Sequence, residues 1–67
     1  MTVFELVSTL NPLMKDACSV DVTTMGGHVI CRGNHNSLTS STKEKEVVRW
    51  RWTDYHQKYV LEIIVKE

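Results

Sequence analysis

Two segments, Val47-Val48-Arg49-Trp50-Arg51-Trp52 and Tyr59-Val60-Leu61-Glu62-Ile63-Ile64-Val65-Lys66, decide the fold. Both are dense in β-branched and aromatic residues, and the polar run Thr53-Asp54-Tyr55-His56-Gln57-Lys58 separates them, so they read as the two strands of a hairpin. A pairing of Val48, Trp50 and Trp52 with Ile63, Leu61 and Tyr59 gathers the apolar side chains on one face and sets Arg49 against Glu62 on the other. A slip of one residue would oppose Trp50 to Glu62 and lose both patterns. On this reading Trp50 and Trp52 are the two largest members of the core.

Upstream lies the polar stretch Gly33 to Glu46, ending in Lys43-Glu44-Lys45-Glu46. Loops longer than about 12 residues are uncommon in compact domains, so part of it is expected to extend a strand. Before it, Val20, Val22, Val29 and Cys31 alternate with polar residues around Gly26-Gly27, a dipeptide suited to a two-residue hairpin turn. That register opposes Val22 to Cys31 and Asp21 to Arg32, a favourable charge pair. It also holds Cys18 too far from Cys31 for a disulfide.

The first 17 residues carry helical spacing instead. Val3, Leu6, Val7, Leu10, Leu13, Met14 and Ala17 follow i, i+3, i+4, i+7, and Thr2 with Glu5 forms a capping box. Pro12 would remove a hydrogen bond and clash one turn back, while Asn11-Pro12 is a good helix start. One kinked helix, or two short ones, is therefore expected over the same core. The fold class is α+β: this helix packed on a four-stranded antiparallel sheet of two hairpins, in a single domain spanning residues 1–67.

Length and charge limit the function. A chain of 67 residues buries only about 60% of the surface its unfolded form exposes, so its core is marginal on its own. With 42% hydrophobic and 24% charged residues the chain reads as globular. No apolar run approaches the roughly 18 residues of a membrane span. The amino terminus lacks the basic stretch and apolar segment of a secretory signal, which makes the cytoplasm, or a host cell's cytoplasm, the expected location and reduced thiols the expected state of Cys18 and Cys31. Eight basic and eight acidic side chains balance, and neither half of the chain is strongly charged.

Four candidate sites follow. Cys18, His28, Cys31 and His35 have the softness to hold zinc, but His28 and Cys31 are three apart on an expected strand and so point to opposite faces, and the paired Cys-x-x-Cys spacing is missing. No metal or cofactor is expected. Arg49-Trp50-Arg51-Trp52, with Lys43, Lys45 and Lys58 nearby, invites a nucleic-acid reading, yet alternation puts tryptophans and arginines on opposite faces and neutrality weakens counterion release. Asp54 and His56 would be the acid–base pair of an enzyme, but no nucleophile elbow, phosphate loop or metalloprotease motif accompanies them, so no catalysis is expected.

The fourth candidate is the outer sheet face. It is read to carry Met25, Ile30 and Arg32 from the first hairpin and Val47, Arg49, Arg51, Val60, Glu62 and Ile64 from the second. Aliphatic residues, Met and Arg mixed in this way resemble a protein interface more than the cleanly polar face of a solvated antiparallel sheet. The expectation is a small non-enzymatic protein-binding module that docks on another protein, self-associates as a homodimer or larger homo-oligomer, or does both. An inhibitor or modulator of phage or mobile-element type is one such role, and a nucleic-acid-binding module is the alternative.

Overall fold

The computed structural model describes residues 1–66. Helix α1, Val3–Ser8, starts at the expected box: the Glu5 amide donates to Thr2 Oγ1 at 3.2 Å and the Thr2 amide donates to Glu5 Oε1 at 2.9 Å. The Thr2 amide, and after it the Thr2 hydroxyl, lower the pKa of the Glu5 carboxyl by stabilising its charged form. α1 buries Val3, Leu6 and Val7. It ends at Thr9, whose hydroxyl donates to the Leu6 carbonyl at 2.7 Å.

Helix α2, Pro12–Ala17, is separate, with Asn11 Oδ1 accepting from the Leu13 amide and Pro12 in the first turn. The expected continuous stripe fails here. α2 contributes no buried residue, and Leu13 is 81% exposed. The helix stops at Thr9 and restarts at Pro12, so the spacing that runs through both in sequence is not carried by one continuous helix.

Strands β1 (Ser19–Thr24), β2 (Val29–Gly33), β3 (Val47–Tyr55) and β4 (Lys58–Val65) form one sheet in the order β2-β1-β4-β3. Each hairpin is antiparallel, and β1 joins β4 in parallel, so the two hairpins meet through their inner strands. The fold is α+β with a largely antiparallel sheet. Residues 34–46 do not extend a strand as expected. They form a 3₁₀ turn at His35–Ser37 and helix α3 at Ser40–Lys43, where Thr39 caps the Thr42 amide. This crossover carries the chain from one sheet edge to the other and delivers Leu38 and Thr42 to the interior. The Thr42 hydroxyl lies 2.9 Å from Thr39 Oγ1, so the buried oxygen is satisfied.

The first register matches its reading at Asp21–Arg32 and Val22–Cys31, then a bulge pairs Thr23 with Val29. Its loop is longer than Gly26-Gly27: the Gly27 amide donates to the Thr24 carbonyl at 3.0 Å, with Gly27 at φ 90°. The second hairpin is shifted by two residues from its expected register. Trp50 faces Ile63, Arg51 faces Glu62 and Trp52 faces Leu61. The cause is the turn, which is only His56-Gln57, both with positive φ (51° and 66°), as a type I′ hairpin requires. A shift of two preserves the faces, so the apolar side of β4 is unchanged.

The core is Val20 and Val22 of β1 with Leu61, Ile63 and Val65 of β4, covered by α1 and Leu38. The tryptophans are not in it. They share the helix-side face by pairing with Ile63 and Leu61, yet remain 46% (Trp50) and 38% (Trp52) exposed. A six-residue helix is about 9 Å long, and a four-stranded sheet is about 14 Å between its outer strands. α1 covers the central pair and leaves edge strand β3 open on that side.

Ile63→Ala should cost about 2–5 kcal/mol, a large share of the roughly 5–15 kcal/mol of an ordinary domain. Trp50→Ala should cost less than Ile63→Ala despite the larger side chain, as urea unfolding at low protein concentration will show. Thr2→Ala should remove about 1 kcal/mol through the lost cap. Thr2→Ala keeps the Thr2 amide bond to Glu5 and removes only the hydroxyl's smaller part in lowering the Glu5 pKa, so that part of the difference is present at neutral pH and fades as pH falls through the carboxylate range, which thermal melts of the two chains across acid pH will measure.

Candidate functional site

Parallel pairing of β1 with β4 sets Asp21 beside Glu62 on the sheet face away from the helices. Like charges side by side are unfavourable, and the two antiparallel ladders supply the remedy. Arg32 lies opposite Asp21, with Nε 3.4 Å from Oδ2. Arg51 lies opposite Glu62 and donates from Nε at 3.3 Å and from Nη2 at 3.2 Å to Oε1. One row of side chains thus crosses all four strands as Arg32, Asp21, Glu62, Arg51. The carboxylates are half-buried and the guanidinium groups exposed, so each pair is worth at most about 1 kcal/mol and chiefly fixes geometry.

Half-buried Val60 and Ile64 flank Glu62 along β4. Beside them runs a shallow groove of about 600 Å³, bordered by the charged row, Thr53, Tyr55 and Val60. A recess of about 430 Å³ continues it toward Arg49 and Ile64. Alternation along the strands also places Lys58 on this side, so among the described residues that alternation puts on this face four cations stand beside two carboxylates, with Asp54 at the groove's border.

Six of the nine residues expected on this face stand there: Arg32, Arg49, Arg51, Val60, Glu62 and Ile64. Three do not. Met25 belongs to the exposed turn after β1. Ile30 and Val47 are partly buried and pack against the core. A bulge lies beside each, between Val22 and Thr23 and between Val47 and Arg49, and an extra residue there breaks the alternation on which the expectation rested. The partner of Glu62 is likewise Arg51 rather than Arg49, which sits opposite Ile64. Thr53, Tyr55 and Lys58 went unnoticed as face residues because a six-residue loop was expected where the strands continue. The pair of positive-φ residues at the turn leaves little sequence trace, since neither is Gly.

The other candidates are dispersed. Among the described residues no three His, Cys, Asp or Glu side chains gather in a way that holds a metal ion. Cys18 and Cys31 are free thiols, and burial pushes the Cys18 thiol up. His35 points to Asp16 with Nε2 3.4 Å from Oδ1. Asp54 lies on β3, while the His56 ring packs edge-on against Tyr55 at 4.2 Å between centroids. Among the described residues no helix is long and apolar enough to cross a membrane. Comparison with known protein families, with curated proteins and with solved structures finds no match to this chain.

Proposed function

We propose that this chain is a small non-enzymatic protein-binding module that docks its outer sheet face on a larger protein and so inhibits or modulates it. The observation that carries the reading is the face itself: Val60 and Ile64 half-buried beside the Arg–Asp–Glu–Arg row, with Arg49 opposite Ile64 and, among the described residues, in no ion pair. Fixed guanidinium groups around an apolar centre are the composition of an interface core and rim. The partner surface that fits offers an apolar side chain for the groove and a carboxylate for Arg49. Docking there adds buried area to a chain whose own core is small.

The nucleic-acid alternative gains one point from the structure, since Tyr55 and four cations share the outer face. It loses another, because Trp50 and Trp52 lie on the opposite side and two of the arginines are tied to carboxylates, leaving few charges for counterion release.

Ile64→Lys and Arg49→Glu should each weaken the capture of a protein partner at least tenfold from the native cell, with thermal unfolding within a few degrees of the parent. Leu13→Lys, on exposed α2, should leave capture unchanged. Partner binding that ignores both outer-face substitutions would sink the reading. Binding that instead falls steeply with salt and transfers to a single-stranded oligonucleotide would favour the alternative.

A further inference from the structure

The strand order leaves β2 and β3 at the two sheet edges, and they are not equivalent. β2 has five residues, begins at a bulge and ends in Gly33 at φ 139°, the short and twisted form of a protected edge. β3 has nine residues. In a two-residue hairpin the pair flanking the turn exchanges the closing hydrogen bonds, so Tyr55, Thr53 and Arg51 aim their backbone groups at β4. Trp50, Trp52 and Asp54 then aim their amides and carbonyls at the open edge.

Both ends of that edge are closed. At the start of β3 the Val47 amide donates to the Met1 carbonyl at 2.8 Å, Thr2 bridges Glu46, and the bulge at Val48 interrupts the ladder. At the other end the chain turns at His56. The open run is Arg49 to Tyr55, seven residues whose midpoint is Trp52.

From this geometry we infer that β3 pairs antiparallel with β3 of a second copy of the chain, about a two-fold axis perpendicular to the sheet and midway between the two Trp52 residues. All seven residues pair in this register. Trp52 faces the partner's Trp52, Trp50 faces the partner's Asp54, Arg51 faces the partner's Thr53, and Arg49 faces the partner's Tyr55. Length and charge together select this register: an axis at Thr53 opposes no like charges but pairs only residues 51–55 of the open run. An axis at Arg51 opposes the two Arg51 side chains, and an axis at Trp50 opposes Arg49 to the partner's Arg51, like charges across strands in both cases. The two-fold keeps the faces in common, so the four half-exposed indoles meet on the helix side. This pairing gives the self-association of the proposed module a definite geometry, and it leaves the outer face free.

Sedimentation velocity of the full chain over a broad concentration range should show a monomer–dimer equilibrium. Trp52→Lys, which sets two ammonium groups against each other at the axis, should abolish the dimer, with circular dichroism still that of the folded chain. In a Cys31→Ala background, Arg51→Cys mixed with Thr53→Cys should form a disulfide-linked pair on oxidation, because the two positions face each other with alpha carbons about 4.5 Å apart. Arg51→Cys alone should not. Ile64→Lys should leave the dimer intact, so loss of outer-face docking and loss of edge pairing register separately. A chain that is monomeric at every concentration and yields no mixed disulfide overturns the proposal. So does a dimer in which Arg51→Cys links to itself, or one that Ile64→Lys dissociates and Trp52→Lys does not.

Discussion

β4 lies between β1 and β3, and its parallel pairing with β1 is the contact on which the remaining structure depends. It stacks Val20 on Leu61, Val22 on Ile63 and Thr24 on Val65 along one face, joining residues about forty positions apart. A parallel neighbour cannot be reached by a tight turn, so the chain after β2 must cross to the far edge, run β3 outward and return through β4. The 3₁₀ turn and α3 are that crossing. Their packed members, Leu38 and Thr42, close the core beside α1 on the same side of the sheet.

The same contact decides the character of both faces. On the helix side, elements of six residues or fewer cover the central strands and leave β3 uncovered, which is why the two largest side chains of the chain stay half in solvent. On the outer side, the parallel pair brings Asp21 against Glu62, a repulsion that exists only because β1 and β4 are neighbours. The arginines of the flanking strands neutralise it. Charge neutrality of the whole chain is therefore a local arrangement, and among the described residues Arg49 and Lys58 form no ion pair on the outer side. An even charge count in the sequence conceals a face with a sign.

What the sequence made legible and what it concealed divide along physical lines. Period-two alternation identified all four strands, and the capping box placed the start of α1 at Val3, because both signals are local. The Asp21–Arg32 register was readable from charge, whereas the loop is longer than the expected Gly26-Gly27 turn and the bulge between Val22 and Thr23 brings the pairing back to it. The β3–β4 register was readable only modulo two: the faces of Leu61 and Ile63 follow from parity, whereas the Arg partner of Glu62 depends on a His56-Gln57 turn whose left-handed residues are not glycines. Ile30 and Val47 were misplaced because a bulge shifts parity without a sequence mark. Trp50 and Trp52 were misplaced for a different reason, since size and hydrophobicity indicate which face a residue prefers and not whether the fold has enough material to cover it. The Thr39 cap was present in the sequence, but a four-residue helix produces no period long enough to register.

The bulge at Val48 links these observations. It turns Val47 into the core, and with the Met1–Val47 hydrogen bond it ends the open edge at Arg49. A bulge at the start of an exposed strand commonly serves to prevent uncontrolled pairing. Here it also sets a length, and a free run of seven residues has a single midpoint. An edge of undefined length pairs in many registers and grows into open assemblies, whereas one bounded at both ends closes into a two-fold pair and stops. In such a pair the two-fold perpendicular to the sheet turns both outer faces the same way, side by side in one continuous surface. A partner with two matching sites, or a symmetric one, would then meet both faces at once, and the second contact would form at the high effective concentration set by a rigid sheet. Edge pairing and outer-face docking, independent in their chemistry as proposed, would in this way be coupled by symmetry.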